Sequence, residues 1–329
     1  MKYEQAKRSL MLALTALIWG VAFVAQSVGM DYVGPFTFNS VRSFIGGLVL
    51  LPMIPLLDRM KKRPAAELKA ELKSQKKMLV IGGLICGALL AVASSLQQIG
   101  LVDTTPGKAG FITALYIIIV PVLGLFMKKK PSVLVWAGVA LAAVGMYLLC
   151  FSEGIDFRTL VVPGPDGEEI IHTGESFSVN RGDIMIMLCA LMFSFHILVI
   201  DRFSPRVDGV RLSMIQFFVC GTLCAVPMLL MEKPDLSSIL SAWLPILYAG
   251  ALSCGVAYTL QIIGQRNINP TVASLILSLE SVFSALAGWL ILGDTLTGRE
   301  LSGCALVFIA ILLAQLPAPG KRRPDHGQI

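Results

Sequence analysis

Residues 96–125 and 260–289 of this chain are one segment written twice. LQQIGLVDTTPGKAGFITALYIIIVPVLGL and LQIIGQRNINPTVASLILSLESVFSALAGW align without a gap and are identical at nine of thirty positions. Their punctuation agrees as well: Gly100 and Gly264 close one apolar run, and Pro106 and Pro270 open the next. In a very apolar chain, a duplicated half points to a membrane protein built from internal repeats.

The apolar character is plain. Hydrophobic residues make up 55% of the 329 positions and charged residues 15%, with a mean hydropathy of +0.76. Soluble domains carry about 25% charged residues. Apolar runs fall near 9–28, 35–57, 78–100, 106–127, 132–151, 183–200, 212–231, 241–264, 270–292 and 301–316. Most are about 20 residues long, enough to span a ~30 Å hydrocarbon core as helix. Helices are required because lipid offers backbone groups no partner. The expected fold is an all-α integral membrane protein with ten transmembrane helices. Lys2, Lys7 and Arg8 precede the first run as in a signal peptide, but the run continues past Trp19 to Val28, which favours a retained helix.

Charge sets the expected topology. With both termini cytoplasmic, twenty-one Lys and Arg fall on the inner side and five on the outer side, Arg42 lying within a span. Five helices per copy is odd, so the second copy enters the membrane from the opposite side. The expected organisation is therefore two inverted five-helix repeats, 1–151 and 183–316, joined by an extracytoplasmic loop, 152–182, and followed by a cytoplasmic tail, 317–329. Within the loop, Pro165-Asp166-Gly167 separates Val161-Val162 from Ile170-Ile171, as in a β-hairpin. The net charge of +6 reads as a topology signal, since its short juxtamembrane clusters lack the interleaved aromatics of a nucleic-acid site. All seven cysteines lie in or at the edge of spans, so no disulfide or metal site is expected, and no cofactor. No Walker-type phosphate loop is present, which leaves a proton or solute gradient as the drive.

Ionisable and polar groups inside spans are the candidate site. Glu280 falls mid-helix in the ninth span, where a carboxylate is costly unless paired, protonated or facing a wet cavity. It is the candidate for binding a cationic group or for proton coupling. The repeat alignment pairs it with Tyr116, whose ring and hydroxyl suit a cation, and pairs Gln97 with Gln261. Trp19 lies too deep for an interfacial belt, which suggests a cavity wall or tight packing. His196, Gln98 and Tyr258 are further cavity candidates. Arg42, about two turns inside its span, is read first as a structural ionisable residue that snorkels or pairs with an acidic partner, with a substrate carboxylate as the alternative. Gly83-x-x-x-Gly87 and the small stripe Ser274, Ser278, Ser281, Ala285 and Gly288 suit close helix contacts, within one chain or between two, so monomer and homodimer both remain open. Asn269-Pro270 and Asp103-Thr104-Thr105-Pro106 read as helix caps, and Pro121 is expected to kink the fourth span.

The stretch ALIWGVAFVAQSVGMDYVGPFTFNSVRSFIGGLVLLP, with Trp19-Gly20 and Arg42, resembles the EamA-type branch of the drug/metabolite transporter superfamily. So does ESVFSALAGWLILGDTLTGRELSGCALVFIAILLAQ, with Glu280, Gly288-Trp289, Gly293-Asp294 and Leu296-Thr297. The resemblance covers nearly the whole chain. It departs from the family at the long 152–182 loop and at Ser281, where many members have proline; serine there is expected to leave the helix less prone to kink. It implies a ten-helix inverted-repeat transporter of a small-molecule substrate in a lipid bilayer, carrying polar metabolites, amino acids or drug-like compounds, often outward. A lipid or amphipath translocase is the alternative; a membrane enzyme would need gathered acid, base or metal groups that this sequence lacks.

Overall fold

The fold was taken from a computed structural model of the chain. It describes residues 2–60, 64–103, 106–128, 131–150, 160–163, 169–172, 181–292 and 298–316. The Gly293-Asp294 step, the tail, most of the joining loop and Thr104-Thr105 of the expected fourth-span cap lie outside the described residues.

The elements are α1 (Lys2–Gly29), α2 (Pro35–Met60), α3 (Ala65–Gly100), α4 (Pro106–Thr113), α5 (Tyr116–Phe126) and α6 (Val133–Cys150), then strands β1 (Leu160–Pro163) and β2 (Glu169–His172). These are followed by α7 (Arg181–Phe203), α8 (Gly209–Pro227), α9 (Leu236–Ser241), α10 (Trp243–Leu247), α11 (Tyr258–Gln265), α12 (Pro270–Leu277), α13 (Leu279–Ala287) and α14 (Gly298–Gln315). Wide π-helical turns extend α8 over Met228–Glu232, join α10 to α11 over Tyr248–Ala257, and extend α13 over Gly288–Leu292. Strands β1 and β2 pair antiparallel, Val161 opposite Ile171 and Val162 opposite Ile170. Among the described residues, eight helical segments are long and apolar enough to cross a membrane, and two shorter apolar helices cover Val133–Leu148 and Leu301–Ala314.

The packing is that of a protein solvated by lipid. Leu84, Val92, Leu230, Phe308 and Leu312 are exposed, while Gln26, Asn39, Gln97, Gln216 and Glu280 are buried. The buried groups are tied between helices: Asn39 Nδ2 donates to the Ser94 carbonyl at 3.0 Å, and Ser40 Oγ to the Gly221 carbonyl at 3.0 Å. α2 packs on α8, α3 on α7 and α8, α1 on α11 and α13, and α6 on α14. Gly83 and Gly87 seat α3 against Ile215 and Val219 of α8. At the centre of the α2–α8 contact, Gly47 receives the Phe218 ring and Gly221 receives the Phe44 ring.

One expectation is corrected. Helix α3 starts at Ala65, so much of the segment read as a loop before residue 78 is helix. Its Ala, Glu, Leu, Lys and Gln residues are strong helix formers, and Glu71 accepts from Gln75 one turn on at 3.0 Å. α5 runs through Pro121, and the interruption of the fourth span falls at Ala114–Leu115. The ninth span is interrupted at Ser278 and is helical through Ser281. Both breaks are closed by tighter bonds over three residues: Ile117 N to the Ala114 carbonyl at 3.0 Å, and Ser281 N to the Ser278 carbonyl at 3.1 Å. The cap at Asn269 is present, its side chain accepting from Thr271 N at 2.9 Å.

Candidate functional site

The two breaks make the site. Tyr116 opens α5, and Glu280 lies in the first turn of α13. Tyr116 Oη donates to Glu280 Oε1 at 2.8 Å. Both side chains are buried.

This pair faces a narrow central cavity. From α1 come Trp19, Ala22, Phe23 and Gln26, whose spacing places them on one helix face. α2 adds Arg42, α3 adds Gln97, and α4 adds Thr113. α7 adds Phe193 and Ile197. The π-helical segment adds Ser253, and α11 adds Tyr258 and Gln261. The rings of Trp19 and Tyr258 are in contact, tilted at 55° with centroids 4.5 Å apart. Gln97 Nε2 donates to Thr113 Oγ1 at 3.2 Å. Trp19 Nε1 and Gln261 Oε1 are buried without a hydrogen-bond partner. The wall thus presents an unused donor and an unused acceptor.

Arg42 is buried, contrary to a snorkelling side chain. One of its guanidinium nitrogens donates to Gln26 Oε1 at 2.7 Å, and the group lies 5.5 Å from the Phe38 ring centroid. Among the described residues, no carboxylate forms an ion pair with Arg42 or with any cation at Glu280. One cavity therefore holds an acid and a base that do not neutralise each other through a direct contact.

Of the residues singled out in the sequence, Trp19, Arg42, Gln97, Tyr116, Tyr258, Gln261 and Glu280 meet at this cavity. The repeat mates Gln97 and Gln261 share it. His196 and Gln98 are not on its wall. His196 Nε2 pairs with Gln216 Oε1 at 3.2 Å behind it, and Gln98 Nε2 donates to the Gln26 carbonyl at 3.2 Å. Gln26, Thr113 and Ser253 were missed. Gln26 had a legible signal, because it stands two helical turns from Trp19 in an otherwise apolar stretch.

Lipid-facing helices around a polar interior cavity place the chain among multi-pass membrane proteins. The EamA-like transporter family model matches residues 7–151 and 180–316, and the chain belongs to that family. It is 29% identical over 93% of its length to an "Uncharacterized transporter" of Archaeoglobus fulgidus, covering 84% of that protein. It is 23% identical to the "Uncharacterized inner membrane transporter YedA" of Escherichia coli K12, over 91% of this chain and 88% of the other. The "Uncharacterized transporter YoaV" of Bacillus subtilis is 22% identical, over 90% and 92% of the two chains. A solved structure titled "Crystal structure of protein" shares the fold at a TM-score of 0.67 and 18% identity, covering 94% of this chain and 96% of the other. The chain is a transporter and not an enzyme; its substrate is a small molecule and its solvent is lipid.

Proposed function

We propose that the chain is a secondary transporter that exports small polar metabolites, amino acids or related drug-like solutes, across the cytoplasmic membrane by alternating access. Its architecture in this reading is ten spans in two inverted five-helix repeats, 1–151 and 183–316, with both termini cytoplasmic. Three observations support the repeats. The family model matches two segments of similar length. The interhelical contacts survive exchange of the halves: α3–α7 answers α11–α1, and α4–α13 answers α12–α5. Finally, Tyr116 and Glu280 are repeat mates in direct contact, and equivalent residues of two copies meet only on the axis that relates them.

The observation that carries the function is the coexistence of Glu280 and Arg42 on one cavity. A carboxylate and a guanidinium held apart suit a solute with an ammonium at one end and a carboxylate at the other. Glu280 then binds the ammonium, or a proton that exchanges with it.

The test is the extracellular metabolite profile of cells overexpressing the chain, against cells with Glu280→Ala at matched levels. A few related solutes enriched by the parent and absent with the variant support export through this site. Equal profiles overturn it and direct the next measurement to uptake and lipid movement in proteoliposomes. Arg42→Gln is expected to lower export of carboxylate-bearing solutes by at least about tenfold, and solutes without a carboxylate much less. A uniform loss across both classes would assign Arg42 to structure alone.

A further inference from the structure

Helices α2 and α8 are tied at both ends, and the two ties are built from equivalent residues. At one end, Arg211 in the first turn of α8 forms an ion pair with Asp58 near the end of α2. At the other, Glu232 at the end of the α8 span accepts from Phe36 N at 2.8 Å, Thr37 N at 2.7 Å and Thr37 Oγ1 at 2.6 Å, in the first turn of α2. Thr37 and Arg211 are 174 positions apart in the sequence, and so are Asp58 and Glu232. Each tie therefore joins a carboxylate at one helix end to the first turn of the other helix, and exchanging the halves converts one tie into the other.

Between them lies a contact with the same symmetry. Phe44 and Phe218 are also 174 positions apart, as are Gly47 and Gly221. A Cβ on Gly47 would meet the Phe218 ring at 3.1 Å, and one on Gly221 the Phe44 ring at 3.2 Å. Position 47 is close to midway between 37 and 58, and position 221 between 211 and 232. Thr37 and Asp58 are about 32 Å apart along α2, the thickness of a hydrocarbon core. The ties thus stand at opposite faces of the membrane, and a close-packed crossing lies at mid-depth.

We propose that the Asp58–Arg211 and Glu232–Thr37 ties are the two latches of the transport cycle, each closing one mouth of the central cavity, with the Phe44 and Phe218 crossing as the pivot. The proposal rests on the alternating-access reading above. Both latches are closed in this structure. A rotation about the crossing separates the helices at one end only while the other tie holds. Side chains at an end thereby decide which face the cavity meets, although they do not touch the cavity.

The experiment places one cysteine in the cavity wall, Ser253→Cys, in a full-length chain whose seven native cysteines are replaced. Its reaction with a membrane-impermeant methanethiosulfonate is followed from each face of oriented vesicles. Glu232→Ala is expected to raise the rate roughly tenfold from the face that carries Glu232, and not from the other. Asp58→Ala is expected to do the reverse. Arg211→Ala, which removes the other partner of the same tie, is expected to match Asp58→Ala in size and sidedness. Thr37→Val and Asp58→Asn, which keep side-chain shape, give smaller increases with the same sidedness and serve if the alanine variants do not fold. Labelling that rises equally from both faces, rises from the wrong face, or stays at the parent rate overturns the latches. No substrate enters this assay. A chain that exports metabolites without sided labelling therefore loses the latches and keeps the transporter reading.

Discussion

Replacing Glu280 with glutamine is expected to slow transport of the exported solutes by about 100-fold, the cost of removing one member of a buried charged contact, while leaving the protein folded. Glutamine has nearly the same volume and keeps an oxygen to accept from Tyr116, whose hydroxyl lies 2.8 Å from Glu280 Oε1. Only the charge and the exchangeable proton are removed. Tyr116→Phe is expected to lower transport by about tenfold, because Glu280 stays in place but loses its hydrogen bond. Rates in proteoliposomes, together with thermal unfolding of each purified variant, check both. Parent-like transport in Glu280→Gln across a pH series would reduce the carboxylate to a bond between helices. Poor transport with a lowered melting temperature would assign the loss to packing.

Gly20→Val is expected to abolish recovery of folded protein. α1 and α13 cross at this glycine. A Cβ there would lie 2.5 Å from Phe283 Cβ, 2.8 Å from the Phe283 carbonyl carbon and 2.8 Å from Ser284 N. Two of these atoms are backbone and do not swing aside, so the helices must separate. Overpacking of a well-filled interior costs about 1–3 kcal/mol when side chains yield, and this site exceeds that range. The same separation would pull Trp19 and Glu280 apart. Gly110→Ala is the control. Its added Cβ meets nothing closer than 3.9 Å, on the same helix α13, and a change within about 0.5 kcal/mol is expected. Size-exclusion profiles after detergent extraction read both variants. Equal recovery of the two would mean that α1 and α13 are less tightly crossed than described.

What could be read from the sequence follows from what lipid demands. Run length located the spans, because a backbone in hydrocarbon has few solutions. Hydropathy reports only the part of a helix that meets lipid, so the charged, helix-forming stretch from Ala65 to Lys77 was hidden. The breaks at Ala114–Leu115 and Ser278 carry neither proline nor glycine. At Ser278 the interruption coincides with the Ser274 and Ser278 hydroxyls bonding back to the Thr271 and Leu275 carbonyls at 2.9 and 2.8 Å; at Ala114–Leu115 no residue of that kind is present. The repeat alignment had put Tyr116 and Glu280 at equivalent positions. His196 drew attention because it is ionisable, yet its pairing with Gln216 needs two helices to be seen together. Gln26 escaped because a lone amide in an apolar run has no periodicity of its own; it gains meaning only when counted from Trp19.

Helix α3 has 36 residues, about 54 Å of rod in a membrane about 30 Å deep. Its first 13 residues, rich in lysine and glutamate, extend beyond the apolar run. Gln75 on this overhang accepts from Asp208 N at 3.1 Å, and Asp208 in turn caps α8 at Arg211. The free end is thus harnessed to the Asp58–Arg211 tie. A rod anchored in this way acts as a lever: a 10° tilt about its middle carries the tip about 5 Å. Small rotations deep in the bilayer become displacements in water, where a fluorophore on the lysine-rich end can report them without disturbing the interior.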